Sequence, residues 1–217
     1  MGSTLAFILP ELILSVGALV LLLVAGWRGD EATRGISIVS VALLVAAALA
    51  ASAPPGGSYG SAFDGLYRAD GFAAFAKVLI DVGAAISIVI APGWFARGGV
   101  LRAEYPILIL LSSAGMGMMV SASDLLTLYV GLELQSLAAY VLASFMRRDM
   151  RSAEAGLKYF ILGALASGIL LYGISLLYGF TATTQFDGIR QSVAANGLNA
   201  GLLFGLVFTL SGLFFKA

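Results

Sequence analysis

Glu133, Lys158 and Lys216 stand inside or near long apolar runs, and Lys77 and Asp81 form a second charged group inside another. A single charge at membrane depth costs about 2.5–3.5 kcal/mol on insertion scales. A chain that repeats that cost on successive helices reads as one that handles ions or protons. Around Glu133 the spacing is informative. Tyr129, Glu133, Ser136, Tyr140 and Ser144 are separated by four, three, four and four residues, which at about 100° per residue puts them on one narrow helical stripe. Polar groups facing lipid stay unsatisfied, so the stripe is expected to face other helices or a hydrated cavity. Hydroxyls stacked around a carboxylate there can hold water and pass protons. The plainer alternative is an interhelical seam with a neutral glutamic acid in it, although serine or threonine would make such a seam at lower cost.

The other charges divide by setting. Glu154 precedes Lys158 by one helical turn, the favourable order for a pair, and Lys158 lies near a helix end, where its stem can also snorkel. On the opposite face Gly156, Gly163 and Ser167 form a small-residue stripe that admits a neighbouring helix. Lys216 follows Gly212-Leu213-Phe214-Phe215, with no acidic residue one turn before it. Desolvation favours a neutral amine, and a nearby carboxylate favours the ammonium, so Glu133, at matching depth, is the candidate partner of a lysine that switches its charge. The alternative is a snorkelling lysine. Lys77 and Asp81 lie one turn apart on one face and read first as a static pair. Glu11 follows Pro10 at a helix start, where the dipole favours an anion, and reads as an interfacial anchor. Gly201 and Gly205 are taken as packing residues only.

Composition narrows the class. The chain has 217 residues, 60% hydrophobic and 11% charged, with zero net charge and mean hydropathy +0.99; soluble domains carry about 25% charged residues. This is an all-α, polytopic membrane protein by composition, with the lipid bilayer as a partner and nothing that points to nucleic acid. Cysteine and histidine are absent, which removes thiolate clusters, disulfides and imidazole–metal or haem ligation. No Walker loop, dinucleotide fingerprint, zincin motif or Ser-His-Asp set is present.

Spans of about 20 apolar residues are predicted at 5–27, 36–53, 72–90, 105–120, 125–145, 153–178 and 198–217, seven in all. The first lacks a preceding basic residue and contains Glu11, unlike a signal peptide, so it is read as retained. Residues 54–70, opening with Pro54-Pro55-Gly56-Gly57, read as a surface loop. Ser123 or Asp124 suits a cap for the fifth span, and residues 185–199 read as an amphipathic surface element. Arg28, Arg34, Arg97, Arg102, Arg147, Arg148 and Arg151 fall on one side, against Arg68 and Arg190 on the other. That bias puts the first set in the cytoplasm and the amino terminus on the periplasmic side. The seventh span is still apolar at Phe214-Phe215, without cap or stop signal, so the chain is expected to be the first part of a longer protein.

The stretch 124–143, with Gly131-Leu132-Glu133-Leu134-Gln135-Ser136, and the stretch 152–168, with Glu154-Ala155-Gly156-Leu157-Lys158-Tyr159, closely resemble subunit N of proton-pumping NADH:quinone oxidoreductase, respiratory complex I. Leu9-Pro10-Glu11-Leu12 and Asp70-Gly71-Phe72 look like the same subunit. Related antiporter-like subunits usually carry tryptophan before the helix-five glutamate; Leu132 here favours subunit N. The resemblance implies a first half of an inverted-repeat fold. Residues 1–103 would be an amino-terminal three-helix segment, and 104–217 the first antiporter-like repeat, proton-translocating and cut within its broken seventh helix. It implies that Glu133, Lys158 and Lys216 carry proton translocation; Glu154, Tyr129, Ser136, Tyr140, Lys77 and Asp81 stand as secondary candidates on their own spacing. It also implies a bacterial inner-membrane location and a hetero-oligomer with other membrane-arm subunits. NADH, FMN, iron–sulfur clusters and quinone would then bind in other subunits, and none in this chain. A subunit of a multi-subunit cation/proton antiporter, or a structural subunit with static pairs, are the alternatives.

Overall fold

In lipid every backbone N–H and C=O must find its partner within the segment, so apolar runs of this length fold as helices. The computed structural model describes residues 2–53, 59–97 and 101–216. Within them α1 (Gly2–Phe7) is followed by α2 (Leu9–Arg28), a 3-10 turn (Gly29–Ala32) and α3 (Thr33–Ser52). Two short strands, β1 (Gly60–Ala62) and β2 (Tyr67–Ala69), precede α4 (Gly71–Phe95), α5 (Glu104–Ser121), α6 (Leu125–Ala143), α7 (Met150–Thr181), α8 (Phe186–Asn196) and α9 (Ala200–Lys216).

Among the described residues, length and apolarity mark five stretches able to cross a membrane, the first being Leu9–Ser52, which holds both α2 and α3. The last helix, Ala200–Lys216, is apolar but has only 17 residues. The expected count of seven is therefore not reached on length alone, although each predicted span corresponds to an apolar helix. The first one breaks at Ile8, where Pro10 enters the first turn of α2. The third continues through Pro92 to Phe95 instead of ending at residue 90, and Phe95 there stacks edge-on against Tyr105 and Phe145 at 5.5 and 5.6 Å.

The predicted surface loop at 54–70 is more ordered than expected. Pro54-Pro55-Gly56-Gly57 lies outside the described residues, but β1 and β2 pair antiparallel, Gly60 opposite Ala69 and Ala62 opposite Tyr67. Phe63, Asp64 and Gly65 all take positive φ in the turn between them. This hairpin sits on the α5–α6 connection, where Ser123 N–H donates to Leu66 O at 3.0 Å. Asp124 caps α6, accepting from the N–H groups of Leu126 and Thr127 at 3.0 and 3.1 Å, which settles the choice of cap. The amphipathic element predicted at 185–199 is α8.

The helices gather into two packed groups. Leu14, Leu44, Ile88, Ile107 and Leu110 form the core between α2, α3, α4 and α5. Leu125, Leu132, Leu170, Ile174, Leu177 and Leu202 form the core between α6, α7 and α9. The groups meet where α5 crosses α6: a Cβ on Gly115 would lie 2.6 Å from Gly131 O, so only glycine permits the contact. The outer faces stay apolar, with Leu23, Phe72, Phe75, Val89, Leu165 and Phe214 exposed, as a chain surrounded by lipid tails requires.

Candidate functional site

The site is built where α9 closes on α7. A Cβ on Gly173 would meet Thr209 N at 2.5 Å, and one on Gly212 would meet Leu170 Cβ at 2.6 Å and Ala166 O at 2.9 Å. Close backbone approach of this kind is the small-residue packing mode of membrane helices. Gly201 and Gly205 face Phe180 and Leu177 of α7, so they belong to the same packing face. One turn beyond Gly212 the chain delivers Lys216 against α6. Its ammonium donates to Glu133 Oε1 at 2.5 Å and to Ser136 Oγ at 3.3 Å. Ser167, on α7, donates to the same Glu133 oxygen at 2.5 Å. Three helices thus meet at one carboxylate.

Burial decides what this contact can do. The Lys216 side chain is 4% exposed and that of Glu133 23%. At an effective dielectric well below that of water the two charges hold each other, and leaving either without its partner is strongly unfavourable. The arrangement is a carboxylate and an ammonium close enough to exchange a proton or to set each other's charge state.

The rest of the stripe on α6 behaves unevenly. Ser136 is buried and joins the site. Tyr140 is buried, but its hydroxyl has no hydrogen-bond partner among the described residues; its ring packs edge-on against Tyr159 at 4.7 Å, over Gly163. Ser144 Oγ turns back onto the Tyr140 and Val141 carbonyls at 3.3 Å. Tyr129 is half-buried against the α6–α7–α9 core. The hydroxyl ladder is therefore shorter than its spacing promised. Gly156 and Gly163 do admit α6, lying against Ser144 and Tyr140, whereas Ser167, read as a mere packing residue, is a ligand of Glu133. Its depth, one turn beyond Gly163, was the available signal.

Lys158 is not brought to this site. It pairs with Glu154 one turn away on α7, with side chains 69% and 58% exposed, the local pair that the spacing indicated. Such an exposed pair contributes at most about 1 kcal/mol.

The second charged group is arranged differently from the expectation. Lys77 does not pair with Asp81; it faces Glu11 Oε1 at 2.7 Å, both side chains under a tenth exposed. Lys77 also donates to the Tyr67 hydroxyl at 2.5 Å, and Tyr67 donates to Glu11 Oε2 at 2.9 Å. Glu11, read as an interfacial anchor, is instead 8% exposed. A Cβ on Gly117 would lie 3.0 Å from its Oε1, so α5 leaves room for the carboxylate. The long lysine stem reaches across the bundle, and β2 closes the cluster from one end with Tyr67, whose phenol is pushed above its ordinary range by burial and then by Glu11. Asp81 is 4% exposed and has no ion pair or hydrogen bond among the described residues.

Comparison with known proteins gives a consistent result. Residues 122–217 match the family described as NADH:quinone oxidoreductase/Mrp antiporter, transmembrane. The whole chain is 67% identical to NADH-quinone oxidoreductase subunit N of Rhizorhabdus wittichii, over 45% of that protein's length. Among solved structures, a chain of respiratory complex I from Thermus thermophilus superposes with a TM-score of 0.75 at 31% identity, covering 96% of this chain and 44% of that one. A chain of the Mrp complex from Dietzia sp. gives 0.70 at 23% identity, covering 95% and 40%, a likeness of fold alone. The chain spans less than half the length of the curated relatives it matches.

Proposed function

We propose that this chain, whose residues 122–217 match the NADH:quinone oxidoreductase/Mrp antiporter membrane family, serves as a membrane-arm subunit of a proton-translocating NADH:quinone oxidoreductase. The observation that carries the reading is the buried contact of Lys216 with Glu133 and Ser136 at 2.5 and 3.3 Å. The similarity of the whole chain to 45% of the length of a subunit N supports the choice of machine. NADH, FMN, iron–sulfur clusters and quinone bind elsewhere in that assembly, and the redox energy reaches this chain through its neighbours. The chain sits in the bacterial inner membrane with its amino terminus on the periplasmic side, as the arginine bias favours.

The proton step follows from the pair. While Glu133 is ionised it holds the Lys216 ammonium. A proton delivered to Glu133 cancels that charge and leaves the ammonium unpartnered in a buried site, and Lys216 then releases a proton to the onward path. One proton enters and one leaves: the neutral Lys216 amine then takes the proton from Glu133 across their contact, which restores the carboxylate–ammonium pair. Separating such a pair costs about 3–5 kcal/mol, of the order of the ~2.3 kcal/mol needed to move one charge against 100 mV. Ser167 and Ser136 hold the two groups in register. Lys158, with Glu154, lies on the exposed flank of α7 and extends the route rather than forming its centre.

The test is Lys216→Ala in the assembled complex, with proton pumping measured in inverted membrane vesicles during NADH oxidation. Pumping should fall sharply while the complex still assembles. Na⁺/H⁺ exchange by the protein in membranes free of NADH dehydrogenase subunits would favour the antiporter instead.

A further inference from the structure

The cluster between α2, α4 and β2 has no part in the reading above, and its charges do not balance. Glu11 and Asp81 bring two carboxylates, and Lys77 brings one ammonium, already engaged with Glu11 and Tyr67. Tyr67 stays a neutral phenol, since burial and then Glu11 oppose its ionisation. Among the described residues no second cation reaches the cluster: Arg68, beside Tyr67 on β2, is exposed and faces Asp187 instead. Arg34 opens α3, Glu104 and Tyr105 open α5, and Arg28 closes α2; all lie at the far end of their helices, away from the hairpin. From α5 the groups that do face the cluster are neutral, Ser113 and Gly117. A buried carboxyl with no partner neutralises rather than staying ionised.

We propose that Glu11, Lys77 and Asp81 form a second proton site, separate from Glu133 and Lys216, that holds one exchangeable proton on Asp81 while Lys77 faces Glu11. The geometry gives this proton somewhere to go. A small gap of about 10 Å³ lies between Glu11, Lys77, Asp81, Ser113 and Gly117, close to the room a single water needs. On its other side Asp81 borders an apolar groove of about 310 Å³ between α3 and α4, lined by Leu44, Val45, Leu49 and Val82, which offers its charged form no partner. When the proton leaves Asp81, two carboxylates share one ammonium. Lys77 precedes Asp81 by one turn of the same helix and so can serve either. Glu11 from α2 and Asp81 from α4 then compete for Lys77, and protonation of one hands the cation to the other.

The experiment is infrared difference spectroscopy of the purified protein in lipid nanodiscs at neutral pH, comparing H₂O with D₂O. A protonated carboxylic acid shows a carbonyl stretch that shifts on exchange. The band of one such acid is expected in the Glu133→Gln variant, which keeps the second cluster intact, and should vanish when Asp81→Asn is added. A band that persists in the combined variant, or none in Glu133→Gln, overturns the proposal. Lys77→Met removes the cation, so the band should roughly double as Glu11 also takes up a proton; an unchanged band contradicts the shared-proton arrangement. Asparagine mimics the neutral acid, so failure of Asp81→Asn to fold would itself count against a protonated Asp81.

Discussion

Replacing Glu133 by glutamine keeps the size and the acceptor oxygen of the side chain and removes only its charge. The ammonium it leaves behind belongs to a side chain 4% exposed, held besides only by Ser136 at 3.3 Å. Removing one partner of a buried pair costs about 3–5 kcal/mol. Because Glu133 itself keeps 23% exposure, the lower end applies, about 3 kcal/mol. Lys216→Met should cost less, about 1 kcal/mol, since the carboxyl that remains keeps its bond from Ser167 and can take up a proton, and a methionine fills the space. The two changes together leave no buried charge and should also cost about 1 kcal/mol. The coupling between the sites is then about 3 kcal/mol, the upper range for groups in direct contact. Thermal unfolding of the purified protein reads this directly. At about 2–4 °C per kcal/mol for a chain of this size, Glu133→Gln lowers the midpoint by about 6–12 °C, and adding Lys216→Met restores most of that. Additive losses, with the double variant the least stable of all, would refute the reasoning.

Gly212→Val places carbon where Leu170 Cβ would stand 2.6 Å and Ala166 O 2.9 Å from the new Cβ. It should push α9 from α7 and reduce NADH-driven pumping as Lys216→Ala does, with both charges still present; pumping equal to the parent would contradict that role for the helix contact. Tyr67→Phe removes a hydroxyl that bonds both Glu11 and Lys77, so it should cost about 1.5–3 kcal/mol, seen as a lowered unfolding midpoint.

Much of this was legible in the chain because helix formation in lipid depends on local apolarity. The stretch 125–145 gave α6, and a lysine and a glutamate at equal depth gave the contact of Lys216 with Glu133. Local arithmetic went wrong where partners are chosen across the bundle. Lys77 and Asp81 stand one turn apart, yet the flexible stem of Lys77 reaches Glu11 on another helix, a pairing that depends on which helices are neighbours. Ser167 was hidden by its size, since a small residue in a glycine stripe reads as packing until the facing carboxylate is known. The hairpin at Gly60–Ala69 was obscured by the proline and glycine run before it and by strands of only three residues, although its turn carries an Asp64-Gly65 signal and closes with local bonds from Gly65 N–H to Ala62 O and from Leu66 N–H to Phe63 O. The role of Lys158 illustrates the reverse case: the adjacent Glu154 was visible in sequence and is its partner in the fold.

The number of protons moved per electron, measured in proteoliposomes containing the complex with Glu133→Gln and Lys216→Met together, tests the central claim most directly. Because that double variant has no stranded charge, it should assemble and oxidise NADH, so misfolding does not confound the result. The account predicts a clearly lower proton-to-electron ratio than in the parent complex. An unchanged ratio would mean that the pair only holds helices together, and would contradict a proton-carrying role for Glu133 and Lys216.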